Sequence, residues 1–324
     1  MMNRFINIFA LGLLCLALNA CQYESQSDKT WTHDEAGLLT ASFSADGSLA
    51  LVSATNGAAR LIDVQTNKAI HQWQHTDSNS GIIKTAISAN NKFAITAERN
   101  SLALWEVTSG KIIGYWDFPS ITDIAISANG LSAVIGMESN KAYYFDLYHG
   151  KIIHTLTHDG FVNTVALSRN NRFIMTGGND QYAKLWSIKT GDLVQQWRQN
   201  FKIYDVLLSD DGDYAMSNAS LGKTKIWSTE SGKMISQLPM RYMTVSASAF
   251  SADANTLLTG RPNQRIDLWD VKTGTLLNTW LPPKSFLLSR DTFAIIAVAF
   301  AGDDQSFVSE NSKGIAKQWH ITKK

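Results

Sequence analysis

A short hairpin repeated at constant spacing limits what this chain can fold into. In residues 184–197 (KLWSIKTGDLVQQW) a strand carrying Trp186 leads through a glycine turn at Gly191 into a strand carrying Trp197. Six copies share this grammar, and their bulky residues always stand eleven positions apart: Ile62 and Trp73, Trp105 and Trp116, Phe145 and Leu156, Trp186 and Trp197, Trp227 and Leu238, Trp269 and Trp280. Side chains alternate between faces along a strand, so a one-residue slip would turn every buried group outward. A spacing that never slips therefore marks hairpins whose register is fixed by packing.

Before each hairpin comes a second pair of strand-like stretches. Thr85–Ser88, Asp123–Ser127 and Thr164–Ser168 alternate in polarity and run into turns at Asn90-Asn91, Asn129-Gly130 and Asn170-Asn171. Ser44, Ser88, Ser127, Ser168, Ser209, Ser251 and Ala301 hold equivalent places, 39 to 50 residues apart. Four short strands at a period near forty are the signature of a β-propeller. The reading is an all-β chain: a seven-bladed propeller of four-stranded antiparallel blades, one ring rather than two cores. The longest interval holds Pro282-Pro283, which cannot sit in a central ladder and predicts a protruding loop.

This count leaves seven copies of the first three strands but only six of the fourth. The missing strand lies at the other end of the chain, where Lys29–His33 (KTWTH) matches Gln72–His75 and places Trp31 opposite Trp73. Pairing of this N-terminal strand in the last blade would close the ring and remove two exposed edges. The ten tryptophans then sort evenly: Trp105, Trp186, Trp227, Trp269 and Trp319 in third strands, and Trp31, Trp73, Trp116, Trp197 and Trp280 in fourth strands. So placed, Trp186 and Trp197 read as packing residues between blades.

These units resemble the WD-repeat β-propeller family, whose third strand ends in Trp-Asp. Trp269-Asp270 is the one literal match; the others read Ile62-Asp63, Trp105-Glu106, Phe145-Asp146, Trp186-Ser187, Trp227-Ser228 and Trp319-His320. The resemblance covers residues 29–321. It implies a structural network of His, Ser/Thr, Asp and Trp, which the fourth unit matches in full with His158, Thr176, Asp180 and Trp186. Asn100, Leu221 and Lys313 replace the Asp in units two, five and seven, so those blades are expected to rely mainly on apolar packing. The resemblance also implies a rigid platform for proteins or peptides, used through the loops that lead into the first strands. The matching interaction positions are Leu39, Ile83, Thr122, Asn163, Tyr204, Ser246 and Ile296. Leu39, Ile83 and Ile296 fall in neighbouring units and form a candidate apolar arc, bordered across the ring by Phe161, Lys202 and Tyr204.

Residues 1–20 carry Arg4, an apolar run from Phe5 to Leu18 and small residues before Cys21, the layout of an export signal. Leu18-Asn19-Ala20-Cys21 closely resembles the bacterial lipoprotein signal, which implies lipidation of Cys21 and a membrane-lipid anchor. The polar residues 21–28 read as the lipidated cysteine and a short tether, and residues 29–324 as the propeller. Gln22 is not the aspartate of an inner-membrane retention signal, so the expected location is the outer membrane, facing the periplasm. With Cys15 inside the leader, no disulfide is available to the fold.

Past residue 20 the chain has 28 basic and 28 acidic residues, a balance that offers no long-range attraction to nucleic acid. None of the seven histidines belongs to a compact metal motif. Ser209–Asp213 and Ala301–Asp304 look superficially like calcium loops but lack the twelve ordered positions between helices. Nucleophile elbow, phosphate loop and dinucleotide fingerprint are missing too, so neither a catalytic residue nor a cofactor is expected. The leading expectation is a membrane-anchored, non-catalytic scaffold for proteins or peptides of the bacterial envelope. Two others stand beside it: a periplasmic small-ligand binder or hydrolase using the propeller channel, and an accessory factor in outer-membrane protein assembly.

Overall fold

A computed structural model describes residues 25–54, 57–75, 81–240, 245–281, 293–302 and 304–321. Cys21, the leader and Pro282-Pro283 lie outside the described residues. Among the described residues, twenty-eight strands form seven antiparallel sheets of four, the blades of a propeller.

Blade four shows how the sequence builds each unit. Its strands are β14 (Val162–Leu167), β15 (Phe173–Gly178), β16 (Tyr182–Ser187) and β17 (Leu193–Arg198), paired in that order. After Phe173, every residue of β15 is buried, because neighbouring blades cover both faces of the second strand. In the third hairpin, Ala183 pairs with Trp197, and the register then shifts so that Trp186 faces Leu193. The same shift occurs just before Ile62, Trp105, Phe145, Trp227 and Trp269. The eleven-residue spacing is thus a hairpin with one β-bulge, kept in six blades.

Three fourth-strand tryptophans pack on the third strand of the next blade. Trp73 stacks on Trp105 at 5.1 Å between ring centroids, and Trp197 on Trp227 at 5.3 Å, while Trp116 meets Phe145 edge-on. Their indole N–H groups reach across as well, Trp73 to the Gly110 carbonyl (3.0 Å) and Trp197 to that of Gly232 (2.8 Å).

Third-strand tryptophans obey a stricter rule. A buried indole N–H needs an acceptor, and wherever the third strand carries Trp the second strand supplies a hydroxyl. Thr96, Thr176, Ser217, Thr259 and Ser309 accept from Trp105, Trp186, Trp227, Trp269 and Trp319 at 2.8 to 2.9 Å. Where Ile62 and Phe145 replace Trp, Val52 and Ile135 replace the hydroxyl, and no polar group is stranded.

In blade four the network continues. Trp186 Nε1 donates to Thr176 Oγ1, His158 Nε2 bonds the same hydroxyl at 2.7 Å, and His158 Nδ1 lies 2.9 Å from Asp180 Oδ2. A carboxylate only accepts, so Nδ1 carries the proton and Nε2 accepts from the threonine. Burial works against the Asp180 charge, but hydrogen bonds from His158 and from the Tyr182 and Asp159 amides outweigh it and hold its pKa below the usual value. Thr176→Val keeps the shape and removes the hub, leaving the indole and imidazole nitrogens unpaired. We expect a loss of about 2–3 kcal/mol in urea unfolding, whereas an unchanged midpoint would show that the hub is dispensable.

Blades two, five and seven do not fall back on apolar packing alone as the sequence suggests. In blade two, His75 bonds Thr96 and, in place of an Asp, Ser101 (both 2.8 Å). Gln199 replaces the histidine in blade five, donating to Ser217 Oγ at 2.6 Å. Blade seven pairs His33 Nδ1 with Glu310 Oε2 at 2.5 Å. Blades two, four and five each keep a hydrogen-bonded hub, built from whichever polar residues their neighbours allow.

The ring closes as the missing strand requires. β1 (Lys29–Thr32) pairs antiparallel with β28 (Ile315–His320), completing the sheet of β26 (Ile295–Phe300) and β27 (Ser306–Asn311). Trp31 faces Ala316, and the Asp28 amide donates to the Gln318 carbonyl. Ser25, within the segment read as tether, accepts from the Leu281 amide of blade six at 3.3 Å, so the tether's described end follows the ring.

Candidate interaction face and central channel

Every blade opens with a buried apolar residue: Leu38, Ile82, Ile121, Val162, Ile203, Val245 and Ile295. The residue after it is the extra one of a β-bulge. Register jumps across Leu39, Thr122, Asn163, Tyr204 and Ile296. At Ile83 and Ser246 the amide bonds the carbonyl of Ala97 or Gly260, the same residue that pairs with the next position along. A bulge re-aims its side chain, here toward the face where the loops between blades meet the turns after the second strands. Two bonds at that end are Asn179 N–H to the Phe161 carbonyl (2.8 Å) and Ser220 N–H to that of Lys202 (2.9 Å).

The occupants of the bulge divide by chemistry. Thr122 donates to the Val162 carbonyl (2.5 Å), Asn163 to that of Ile203 (2.9 Å) and Ser246 to that of Ile295 (2.6 Å). Each therefore ties its blade to the next. Leu39, Ile83, Tyr204 and Ile296 make no such bond among those described. Leu39 and Tyr204 are nearly half exposed, at 46% and 48%, as is Phe161 at 45%. Ile83 is half-buried, and Ile296 packs on the apolar cluster of blade one that contains Leu38 and Val52. Two groups result. Leu39, Ile83 and Ile296 lie on blades one, two and seven, while Phe161, exposed Lys202 and Tyr204 meet where Asn163 joins blade four to blade five.

Sequence reasoning missed Phe201 and Leu221 as members of the second group. Both are exposed, at 41% and 58%. For Leu221 the signal was present, a large apolar residue where the repeat favours Asp in a turn. Phe201 sits in a loop between units, where the period is silent.

The channel holds a second polar site, also missed. Two positions after the opening apolar residue, each blade has a residue that is small, a threonine or charged: Thr40, Lys84, Asp123, Thr164, Asp205, Ala247 and Ala297. Lys84 Nζ lies 3.0 Å from Asp123 Oδ1, Asp123 Oδ2 accepts from the Val165 amide, and Ser248 Oγ donates to Asp205 Oδ2 at 2.8 Å. Burial, aided by the nearby Asp123 charge, pushes the Asp205 carboxyl up to about 7 against the Ser248 hydrogen bond and the Lys84 charge. The Asp123 charge raises the Lys84 ammonium despite burial. In alignment, the signal would have been charge at a position otherwise small or hydroxylic.

A pH effect follows with a definite sign. Unfolded, Asp205 releases its proton near the ordinary aspartate value of 3.8, and folded it holds it to about 7. Its contribution is therefore fully present below pH 4 and is lost as pH rises toward 7. Asp205→Asn keeps the Ser248 bond without the charge. We expect its melting temperature to exceed that of the parent by several degrees at pH 8 and to match it at pH 4; equal values at both would place the carboxyl in an ordinary environment.

Among the described residues no three of His, Cys, Asp and Glu are gathered in a way that could hold a metal ion. Residues 150–187, from the fourth strand of blade three through the third strand of blade four, match the WD domain, G-beta repeat. That segment spans the complete network from His158 to Trp186. No curated protein matches the chain.

Proposed function

From the chain's membership of the WD-repeat β-propeller family, we propose that it is a non-catalytic scaffold for proteins or peptides, anchored through lipidated Cys21 in the bacterial envelope. Propellers of this family commonly serve as interaction platforms. The observation that carries the reading is the loop face, where Leu39, Phe161 and Tyr204 stand exposed on bulges and loops held by inter-blade hydrogen bonds. Exposed aromatic and aliphatic anchors on a rigid frame lose little entropy on binding. The outer-membrane location rests on Cys21 and Gln22, and a role in outer-membrane protein assembly is a special case of the same reading.

The test places a photocrosslinking residue at Leu39 or Tyr204 in intact cells. A discrete crosslinked envelope protein is expected, and no product from either site sinks the scaffold reading. Cys21→Ser should move the protein from the membrane pellet to the soluble fraction; retention in the pellet overturns the anchor.

The channel favours a second reading, a small-ligand binder or hydrolase. Lys84, Asp123, Asp205 and Ser248 converge from four blades, and a carboxyl near 7 suits proton transfer. A small molecule that raises the melting temperature of the parent but not of Asp205→Asn would favour it.

A further inference from the structure

Blade five breaks the repeat where the loop face is most apolar. Blades three, four, six and seven place a left-handed residue in the turn after the second strand, at Asn140, Gln181, Gln264 and Gly314. All four stand five positions after Ile135, Thr176, Thr259 or Ser309, the second-strand position that supplies the hydroxyl to a third-strand Trp in blades four, six and seven. In blade five the left-handed residue comes one position earlier, at Leu221 (φ 54°). Gly222, which could adopt that conformation without steric cost, is the next residue and does not take it. A leucine in this conformation is strained, because its Cβ crowds the following carbonyl. Burial does not offset that strain, since Leu221 is 58% exposed. A strained turn that presents a large apolar side chain to solvent is a reason to look for a binding function there.

The surroundings supply such a function. Leu221 and Phe201 line one groove of about 650 Å³, with Gln199, Asn200 and Gln237 as polar lining. Lys223 and Lys225 line it too, and no carboxylate does. Lys202 is exposed beside it, its carbonyl bonded to the Ser220 amide, and Tyr204 follows two residues on. Side-chain amides suit the backbone of an extended chain, apolar anchors suit its side chains, and unopposed lysines suit carboxylates.

We propose that the blade-five groove docks an extended peptide segment of a partner protein, one that carries apolar side chains next to Asp or Glu. Phe201 and Leu221 are its anchors, and Lys202 and Lys223 select its charge. This rests on the scaffold reading and moves the main site away from the Leu39–Ile83–Ile296 arc to the opposite side of the ring.

The test pans a displayed library of random peptides against the full-length protein in detergent micelles. Enriched peptides should combine apolar residues with net negative charge and bind more weakly as salt rises. Leu221→Asp and Phe201→Ala should each weaken them roughly tenfold or more, and Lys202→Glu with Lys223→Glu should weaken them and abolish the salt dependence. Ile83→Asp should leave them unchanged. Leu221→Asn separates function from folding: an asparagine tolerates the left-handed turn, so this variant should melt no lower than the parent yet lose binding. Basic peptides, peptides indifferent to the Phe201 and Leu221 changes, or no enrichment over a chain carrying both changes would each overturn the proposal. The scaffold reading is judged separately by crosslinking in cells: a product from Leu39 with binding unaffected by the blade-five changes leaves that reading standing and this proposal refuted.

Discussion

Deleting residues 29–33 will lower the melting temperature of the entire propeller by about 10 °C, in one transition. The deletion removes β1 from the edge of β28 and with it the pairs from Lys29–Gln318 to Thr32–Ile315. It also removes His33, whose side chain is wholly buried against Glu310. Burial already raises the Glu310 pKa against the opposing effect of His33. Stripped of its partner, the glutamate must stay charged in an apolar setting or take up a proton, and breaking a buried pair of this kind costs about 3–5 kcal/mol. Arg60 bonds both the His33 carbonyl and Asp34, so blade one also loses the first of these two contacts.

Gly314→Ala should mimic the deletion without shortening the chain. Gly314 has φ +86°, and an added Cβ would collide with the Asp34 carbonyl oxygen while lying 2.9 Å from its nitrogen. Backbone cannot swing aside as a flexible side chain can. Gly302→Ala is the control, because nothing lies within 4 Å of its Cβ position. Calorimetry that finds the deletion and Gly314→Ala as stable as Gly302→Ala would contradict closure by β1.

That closing strand was legible in the sequence because it answers a counting problem: six fourth strands for seven blades, with Trp31 spaced from His33 as Trp73 is from His75. Blade number, hairpin register and the inter-blade role of the tryptophans were legible for a related reason, since each follows from a period that packing enforces. The polar hubs were only partly legible. The Trp–hydroxyl pairing could have been read from Thr96 and Trp105 or Ser309 and Trp319, but its extension to Gln199 or Glu310 depends on which side chain reaches the buried gap. Those partners come from different strands and vary freely in type.

The face was legible as positions but not as a site. The bulge places Leu39 and Ile296 equivalently in sequence, yet Leu39 stays exposed and Ile296 settles onto blade one, a difference set by neighbours outside the repeat. Leu221 was visible as a departure, while its backbone strain was not. In the channel, Lys84, Asp123 and Asp205 occupy one repeat position on three blades, and only closure of the ring brings their charges into one field.

Blade six provides the other large effect expected in this fold. Its hub is ionic: Asp267 is completely buried, with Oδ2 2.6 Å from Arg261 Nη2 and Oδ1 accepting from Arg265 Nε and Thr279 Oγ1, both at 2.7 Å. Burial lowers the Arg261 pKa, against the favourable field of Asp267. Asp267→Ala withdraws the counter-charge and leaves the buried guanidinium without it, at a cost of about 3–5 kcal/mol or roughly 10 °C in melting temperature. Truncating Arg261 as well removes the charge that Asp267 offset. Asp267→Leu with Arg261→Met should therefore recover most of the loss, since a buried ion pair and a well-packed apolar replacement are often close in stability. A single change costing under about 1 kcal/mol, or a double change no better than the single, would show that the pair is not a closed electrostatic unit. The shape of the transition carries further information. Blade six stands between the blade-five groove and the closing blade, so a cooperative ring melts once at a lower temperature, whereas a separate early transition would mean that one blade can open while the rest hold.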